Sequence, residues 1–113
     1  MLATLRPEGK QLAGFWEFPG GKIESGERPQ AALRREVLEE FDMELDTLTP
    51  LRPVQHVYDF GPVRLIPFAA DLQESTFRLR EHTEARWFFA DELDSVCWAP
   101  ADVPVVEQFR DTP

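Results

Sequence analysis

Residues 20–43 read GGKIESGERPQAALRREVLEEFDM, a glycine-rich turn followed by a segment with helical periodicity and many carboxylates. Glu36, Glu39 and Glu40 are spaced i, i+3, i+4, so a helix of about 3.6 residues per turn brings all three to one face. Like charges at this spacing repel each other, and the same face offers no cation, since Ala32 is small and neutral. Such oxygen donors without a counter-charge are typical of a site for a divalent cation. Taken alone, EVLEE favours a simpler interpretation, an acidic helix face in contact with solvent.

The spacing of charged and glycine residues continues well beyond EVLEE. The fixed positions are Gly21, Glu27, Arg35, Glu36, Glu39 and Glu40. Their gaps resemble the signature of the Nudix hydrolases: a glycine, five residues, a glutamate, seven residues, then Arg-Glu-apolar-any-Glu-Glu-any-Gly-apolar. Every fixed position matches except one, because Asp42 replaces the last glycine. A pattern of this length with fixed gaps is highly specific.

The resemblance implies an α+β fold, the Nudix α/β/α sandwich. In this fold a mixed, curved sheet lies between the helix of the signature and a C-terminal helix. The resemblance covers almost the whole chain after residue 5, and we predict one Nudix domain over residues 1–113. A strand that usually comes first in the family is missing from its expected place. An uncovered sheet edge there would favour a different class of protein, an interaction domain that pairs with a partner.

Composition excludes several partners. The chain has 113 residues and a formal net charge of -9, which repels nucleic-acid polymers and anionic membranes. An acidic protein can still bind a polyphosphate if cations lie between the carboxylates and the phosphates. The sequence shows no apolar run that spans a bilayer and no signal-peptide pattern, so we predict a cytoplasmic protein. Cys97 is the single cysteine, which excludes an internal disulfide and predicts a thiol in the core.

Hydrophobic patterns predict the other elements. We expect a strand over Gly14–Phe18, a helix from about Pro29 to Phe41 and a strand over Ala85–Phe89. Two apolar runs, Val54–Phe60 and Val63–Leu72, predict a hairpin. Further predictions are a turn at Pro7–Gly9, a short strand at Phe77–Leu79, a helical turn at Asp91–Leu93 and a last helix to about Phe109.

Within the central helix, Leu33, Val37 and Phe41 repeat at i, i+4, i+8 and form an apolar stripe beside the glutamates. The helix can therefore pack on a sheet while its carboxylates line the rim of a cleft. Asp42 follows the helix where a left-handed conformation is expected, at a cost on the order of 1 kcal/mol for a residue other than glycine.

Two residues of the stretch suit a supporting role. The guanidinium of Arg35 can bridge carboxylates or loop carbonyls and so hold the loop against the helix. Glu27 lies at the junction of loop and helix, where its carboxylate can accept backbone N–H bonds or join a metal cluster.

The resemblance implies further roles for particular residues. It makes metal ligands of the Gly20 carbonyl and of three carboxylates, Glu36, Glu39 and Glu40. Glu39 or Glu40 is expected to bind the metal strongly, and Glu36 is expected to act as ligand or base. Arg35 and Glu27 complete the catalytic group. Four residues are expected at the substrate: Arg6, Phe18, Lys22 and Asp102. In the family a glutamate from the loop that holds Glu81 and Glu84 sometimes adds a metal ligand or base.

Several of these residues have a simpler interpretation. Arg6 would then be an exposed arginine in a turn, and Phe18 would only pack in the core. Asp102 would only cap the last helix. Glu81 and Glu84 would then be solvated loop residues.

The segment Pro100-Ala101-Asp102-Val103-Pro104 resembles the C-terminal Pro-Ala-Asn/Asp-x-Pro element of MutT-type Nudix enzymes, whose Asn or Asp hydrogen-bonds a nucleobase. An ionised aspartate only accepts hydrogen bonds. It would therefore select base edges that donate, such as guanine N1–H and its N2 amino group, or the cytosine N4 amino group.

The resemblance thus implies a Mg²⁺-dependent enzyme, in which Mn²⁺ can substitute, that cleaves nucleoside triphosphates to monophosphate and pyrophosphate. The leading substrate is a modified nucleotide such as 8-oxo-dGTP, as in nucleotide-pool sanitising and DNA repair. The alternative is (d)CTP or a modified pyrimidine triphosphate. A different class would be a catalytically silent nucleotide-binding module. The expected partner is a small nucleotide, with no nucleic-acid polymer and no membrane, and the protein is expected to be a monomer or homodimer.

Overall fold

The strand β1 (Leu2–Leu5) lies at the centre of a three-stranded antiparallel sheet in the computed structural model, which describes residues 1–6, 11–72 and 84–110. On one side β1 pairs with β2 (Trp16–Glu17), and on the other with β7 (Glu84–Trp87). Leu5 lies opposite Trp16, and Leu2 lies opposite Trp87. β1 therefore has a paired strand on each side and presents no open edge.

Two hydrophobic clusters form on opposite sides of β1 because successive side chains of a strand alternate. Leu2 packs with Val37 and Phe41 of α1 (Pro29–Phe41). Ala3 joins the other cluster, which includes Trp98 and also Val106, a residue of α2 (Val103–Arg110). The signature helix and the C-terminal helix thus flank the sheet, and the expected α+β sandwich is confirmed.

The helix α1 has the bounds that the sequence predicted. Pro29 lies in its first turn, where the missing N–H costs little. Val37 and Phe41 are buried, Leu33 is half-buried, and Ala32 widens the buried stripe. The helix ends at Asp42, which adopts the left-handed conformation (φ 56°, ψ 39°) and donates its N–H to the Leu38 carbonyl.

The strands between α1 and residue 72 differ from the prediction. The expected hairpin exists, with β4 (Val54–Tyr58) antiparallel to β5 (Gly61–Leu65). The run Val63–Leu72 is not one strand, because it breaks before β6 (Phe68–Leu72), where Pro67 has no N–H to donate. The partner of β6 is β3 (Leu45–Pro50), which was not predicted. The largely exposed, polar sequence LDTLTP gives only a weak strand signal.

Two predicted strands are shorter in the structure. Of Gly14–Phe18 only β2 pairs as a strand, because the Gly14 and Phe15 N–H groups close turns onto the Arg6 and Leu12 carbonyls. The strand predicted for 85–89 ends at Trp87 in the structure, because the Phe89 N–H donates to the Glu92 carboxylate instead of a strand partner. The described strands form three antiparallel groups, with one parallel bridge between Trp16 and Trp98.

The C-terminal part contains two 3₁₀ helices, Ala90–Ser95 and Pro100–Asp102, before α2. The predicted helical turn at Asp91–Leu93 is thereby confirmed. Cys97 is exposed, so the prediction of a core thiol is wrong. Its backbone carbonyl accepts the Trp16 N–H, which places residue 97 at the edge of β2 with its side chain outside.

Three predictions lie outside the described residues: the turn at Pro7–Gly9, the strand at Phe77–Leu79 and the role of Glu81. That residues 1–113 form a single domain stays a prediction. Among the described residues no helix combines the length and apolar character needed to cross a bilayer.

Candidate active site

Arg35 ties the glycine-rich loop to α1. Its Nε and Nη2 donate to the two oxygens of Glu27 at 2.9 and 3.1 Å, a bidentate pair. Nη1 donates to Glu36 Oε1 at 2.9 Å, and Nη2 also donates to the Lys22 carbonyl at 3.1 Å. The hydrogen bonds from Arg35 and from the backbone N–H of Glu24 hold the pKa of Glu27 below its usual value. One guanidinium therefore fixes residues 22 and 27 against the helix.

Gly21 makes the closest approach between this loop and the helix. A Cβ atom at this position would lie 2.4 Å from Cδ of Glu36, far inside van der Waals contact. No side chain other than hydrogen fits unless the Glu36 carboxylate moves. The first glycine of the signature is thus needed for space beside a glutamate.

The three signature glutamates face different environments. Glu39 is the most exposed, with 61% of its side chain accessible, and Glu36 is 17% exposed. Glu40 is buried at 9% because it continues the helical row that begins at the buried Ala32. Their spacing predicted one shared face, and within it their exposure to solvent differs from one glutamate to the next.

The expectation that this face lacks a counter-charge is wrong. Arg35 contacts Glu36, and its Nη1 lies 3.6 Å from Glu39 Oε2, one helical turn away. The sequence reasoning considered Ala32 and overlooked that a long arginine beside the glutamates can reach over them.

The donor chemistry fits a divalent cation, since these side chains offer the carboxylate oxygens that Mg²⁺ prefers. Glu40 Oε2 is buried, and the Glu36 carboxylate fills the space beside Gly21. In their present positions, no three acidic, histidine or cysteine side chains of the described residues converge enough to hold an ion. Binding would therefore require Glu36 and Glu39 to turn from Arg35 toward the ion.

Asp102 occupies a second polar position, at the end of β2. It ends the 3₁₀ helix Pro100–Asp102 and is only 8% exposed. Its Oδ1 accepts the Phe18 N–H at 3.3 Å. The interpretation of Asp102 as a cap of α2 is therefore not supported, because this carboxylate bonds across to the segment after β2.

Burial raises the pKa of Asp102 to about 7. The bond from the Phe18 N–H and the charge of Arg6 act in the opposite direction, and the charge of Glu17 adds to the rise. Near neutral pH both forms of the carboxyl are therefore populated. The ionised form accepts hydrogen bonds only, and the protonated form can also donate one.

The backbone of Trp16 holds the segment that leads to Asp102. Its N–H donates to the Cys97 carbonyl and its carbonyl accepts the Ala99 N–H, both at 2.8 Å. Phe18 stacks on Trp98 with ring centroids 4.9 Å apart. Phe18 thus packs on the core and also adjoins Asp102, so the two interpretations of this residue are compatible.

Sequence reasoning missed two residues that hold the 3₁₀ helix Pro100–Asp102 and the helix α2 that follows it. The Tyr58 hydroxyl accepts the Ala101 N–H at 2.7 Å. The Gln108 side chain makes two hydrogen bonds to the backbone of Arg52, at 2.7 and 3.0 Å. No spacing or motif marks these positions, because each acts through a backbone group more than forty residues away.

The other expected site residues lie around the loop. Arg6 donates to the Gln11 carbonyl at 3.0 Å and to Glu17 at 3.3 Å, so it is engaged in its own loop and not simply an exposed turn residue. Lys22 and Gly20 are exposed next to Gly21. Glu84 is an exposed strand residue opposite Leu5.

The sandwich of two helices on the sheet and the loop fixed to a glutamate-bearing helix define the class: the chain belongs to the Nudix family. A sequence model of the NUDIX domain matches residues 1–109. The resemblance to MutT-type hydrolases is confirmed by the relatives, and such hydrolases generally use divalent metal ions.

A putative 8-oxo-dGTP diphosphatase 2 of Mycobacterium tuberculosis is 37% identical over 103 residues, which covers 90% of this chain and 73% of that protein. The CTP pyrophosphohydrolase of Escherichia coli is 31% identical over 109 residues, covering 96% and 81%. Among solved structures, MutT from methicillin-resistant Staphylococcus aureus is 39% identical with a TM-score of 0.74, covering 96% and 84%.

Proposed function

We propose that this protein is a Mg²⁺-dependent nucleoside triphosphate pyrophosphohydrolase that releases monophosphate and pyrophosphate, with Mn²⁺ as a substitute metal. The preferred substrate is a modified purine nucleotide of the 8-oxo-dGTP kind. The relatives named for 8-oxo-dGTP support this choice. The protein acts in the cytoplasm on free nucleotides, as a monomer or homodimer.

The arrangement that carries the proposal is the loop of residues 20–28, fixed by Arg35 over the glutamates of α1. It brings backbone groups of the loop within reach of the same carboxylates that would hold a metal. A polyphosphate carries several negative charges, and only a site that brings cations to it can accept it on a protein with net charge -9. The metal would be held by Glu36, Glu39 and Glu40 with the Gly20 carbonyl, and when bound it would neutralise phosphate charge and acidify water.

The chain's own residues then have distinct tasks. Arg35 and Glu27 keep the loop in place, so that the carboxylates stay aligned with the scissile phosphoanhydride. One of the glutamates takes the proton of the attacking water as the water oxygen bonds to phosphorus and the bridging P–O bond breaks, which releases the monophosphate and pyrophosphate. Lys22, exposed on the loop, would meet the phosphates, and Arg6 would do so by releasing Glu17 or the Gln11 carbonyl. Phe18 and Asp102 form the base end of the site.

Pyrophosphate release over a nucleotide panel in the presence of Mg²⁺ tests the proposal. We expect the highest kcat/KM for 8-oxo-dGTP and clear discrimination against pyrimidine nucleotides. Equal rates with every base would remove the role of Asp102 in base recognition. A wild-type protein that hydrolyses no nucleotide would overturn the proposed activity.

A (d)CTP or modified-pyrimidine pyrophosphohydrolase is the second candidate. The similarity to the E. coli CTP pyrophosphohydrolase favours it, and an ionised Asp102 can accept the cytosine N4 amino group. The same panel decides between the two, because a CTP enzyme would prefer cytosine nucleotides over every purine.

A catalytically silent nucleotide-binding module is the alternative of another class. The test variant is Glu39→Gln, which removes one charge from the most exposed signature glutamate. Its matched control is Glu44→Gln, an exposed residue beyond the end of α1. We expect hydrolysis to fall about 100-fold or more in the first variant only. Wild-type rates in Glu39→Gln would show that this cluster does not drive hydrolysis.

A further inference from the structure

The 3₁₀ helix Pro100–Asp102 is held from two sides. On the side of β2, Asp102 itself accepts the Phe18 N–H, and the preceding Ala99 bonds to Trp16. On the side of β4, the hydroxyl of Tyr58 accepts the N–H of Ala101, the residue next to Asp102. Tyr58 is the single tyrosine of the chain.

The Ala101 N–H needs a partner from outside its own helix. The first N–H groups of a helix have no intrahelical acceptor, and Ala101 is 3% exposed, so water has little access. A buried donor that loses its acceptor bears the full cost of desolvation. The Tyr58 hydroxyl supplies that acceptor, and its own hydrogen remains available to another group.

A second side chain restrains α2, the helix that directly follows the 3₁₀ helix Pro100–Asp102. Gln108, in α2, pairs through its amide with both the N–H and the carbonyl of Arg52, just before β4. The β4 strand and the residues before it therefore hold both the 3₁₀ helix and α2. Two side-chain hydrogen-bond sites, one at each end of β4, keep this part of the chain in register with the strand.

We propose that Tyr58 is a positioning residue for base recognition: by holding the Ala101 N–H it fixes the carboxylate of Asp102 beside Phe18, where the base is read. This inference rests on the proposed function, in which Asp102 contacts the base. Tyr58 contributes to the choice between nucleotides and has no part in breaking the phosphoanhydride. A shift of the 3₁₀ helix would weaken a directional bond to the base while leaving the glutamates of α1 in place.

The test compares Tyr58→Phe with Ser95→Ala. The first removes only the hydroxyl that binds Ala101. The second removes a hydroxyl of the neighbouring 3₁₀ helix that donates to the Glu92 carbonyl, away from Asp102. We expect Tyr58→Phe to lower the kcat/KM ratio between the best and the worst nucleotide by roughly three- to tenfold, through KM, with kcat within about twofold of wild type. Ser95→Ala should leave the ratio unchanged.

A double-mutant cycle with Asp102→Ala, which removes the hydrogen-bonding group, separates positioning from direct contact. If Tyr58 acts through Asp102, Tyr58→Phe has no further effect on discrimination once Asp102 is replaced. Equal losses in both backgrounds would show that Tyr58 touches the base itself, and an unchanged ratio in the single variant would show a purely structural role. Either result overturns the inference.

Folding and the proposed activity are controlled separately. If Tyr58→Phe unfolds, the second variant is Gln108→Met, which removes the hydrogen bonds between α2 and Arg52. It should also lower the kcat/KM ratio between the best and the worst nucleotide. An unchanged ratio in Gln108→Met would contradict the inference. Calorimetric binding of nucleoside monophosphates gives the base preference without hydrolysis. Selective binding without pyrophosphate release would therefore overturn the proposed activity alone, and the variants would still decide the role of Tyr58. A wild-type protein that neither binds selectively nor hydrolyses overturns both.

Discussion

Gly21 and Asp102 are the two residues whose surroundings constrain the site most tightly. Gly21 leaves room for the Glu36 carboxylate, and Asp102 keeps a carboxyl group in a place where water has little access. The signature pointed to Gly21 by residue type, and the C-terminal Pro-Ala-Asn/Asp-x-Pro element pointed to Asp102. The structure adds why these two residue types matter: a Cβ at position 21 would meet Glu36, and the carboxyl of Asp102 is shielded from water. Both effects depend on residues that lie far apart in the sequence.

Replacing Gly21 by alanine should impair hydrolysis more than folding. The added Cβ would lie 2.4 Å from Glu36 Cδ and would displace that side chain. We expect kcat/KM to fall about 10- to 100-fold. The matched control is Gly14→Ala: Gly14 has a φ of 84° but nothing within 4 Å of an added Cβ.

The control should show the opposite pattern, with a free energy of unfolding lower by about 1 kcal/mol and normal kinetics. Denaturant unfolding and pyrophosphate release measure the two effects. If both variants lost activity equally, backbone strain and not crowding at Glu36 would be the cause.

The raised pKa of Asp102 predicts a pH dependence of stability. Its value of about 7 lies above that of an unfolded aspartate, so between about pH 4 and pH 7 the folded state binds more protons than the unfolded state. This group therefore makes the protein less stable as pH rises through that window, by an amount on the order of 4 kcal/mol. Asp102→Asn cannot titrate, and its stability should lack this decline.

Urea unfolding of both proteins from pH 4 to pH 8 checks the expectation. The other groups near Asp102, Glu17 and Arg6, are present in both proteins and cancel in the comparison. Parallel stability curves would contradict a raised pKa. The base preference of the wild type should also change around pH 7, where the carboxyl stops donating.

Among the elements, α1 was predicted with correct bounds because three independent signals agree there. Pro29 marks the start, the Leu33, Val37 and Phe41 stripe gives the period, and Asp42 ends the helix in a left-handed conformation. The strands β3, β5 and β6 were predicted less well. Short strands with half-exposed, mixed sequences depend on their partners, and pairing across the chain is not written in local periodicity.

At the helix end, Asp42→Gly should stabilise the protein by about 0.5–1 kcal/mol, since glycine adopts a φ of 56° without steric cost. Pyrophosphate release should not change, because residue 42 lies past the glutamates. Thermal and urea unfolding provide the measurement. A loss of stability would mean that the aspartate side chain contributes more than its strained backbone costs.

Two neighbouring arginines of α1 allow a matched test of the loop contact. Arg35 binds Glu27 with a planar, bidentate contact, whereas Arg34 donates to the carbonyls of Leu45 and Asp46 at the start of β3. A lysine ammonium cannot reproduce the paired hydrogen bonds that either planar guanidinium makes. We expect Arg35→Lys to reduce kcat/KM at least about tenfold, and Arg34→Lys to affect mainly stability.

Steady-state kinetics and unfolding midpoints of the two variants make the comparison. If Arg34→Lys reduced catalysis as strongly as Arg35→Lys, the effect would come from loosening the helix in general. The proposal that Arg35 holds the loop over the glutamates would then fail.

For the whole molecule, the resemblance carried by the signature predicted the α+β sandwich. It did not reveal that β1 contributes to both cores, with Leu2 toward α1 and Ala3 toward α2. The sequence reasoning also misjudged the acidic face, because a count of charges along one helical row missed that Arg35 folds over it. Arg35 lies next to Glu36 and four residues before Glu39, so this counter-charge comes from within α1 and not from a distant part of the chain.

The charge of the whole chain predicts a specific response to divalent cations. With a net charge of -9 and glutamates grouped on α1, Mg²⁺ should raise the midpoint of thermal unfolding by about 5 °C at saturation. NaCl at matched ionic strength should raise it less, because it only screens the repulsion. EDTA should abolish pyrophosphate release, and Mg²⁺ or Mn²⁺ should restore it.

Glu39→Gln should lose most of the Mg²⁺-specific rise, and Glu44→Gln should keep it. Differential scanning calorimetry in the two salts gives the values. An identical response to NaCl and Mg²⁺ would contradict a bound divalent cation.

The attachment of the last segment to Trp16 has a practical consequence. Both bonds from Trp16 end on main-chain atoms of residues 97 and 99, and Tyr58 also holds a main-chain N–H. None of these bonds depends on which side chain occupies position 102. Ala99 and Ala101 are buried, so residue 102 is the position that can be exchanged, and a different side chain there offers a route to change the proposed base preference without rebuilding the glutamate helix.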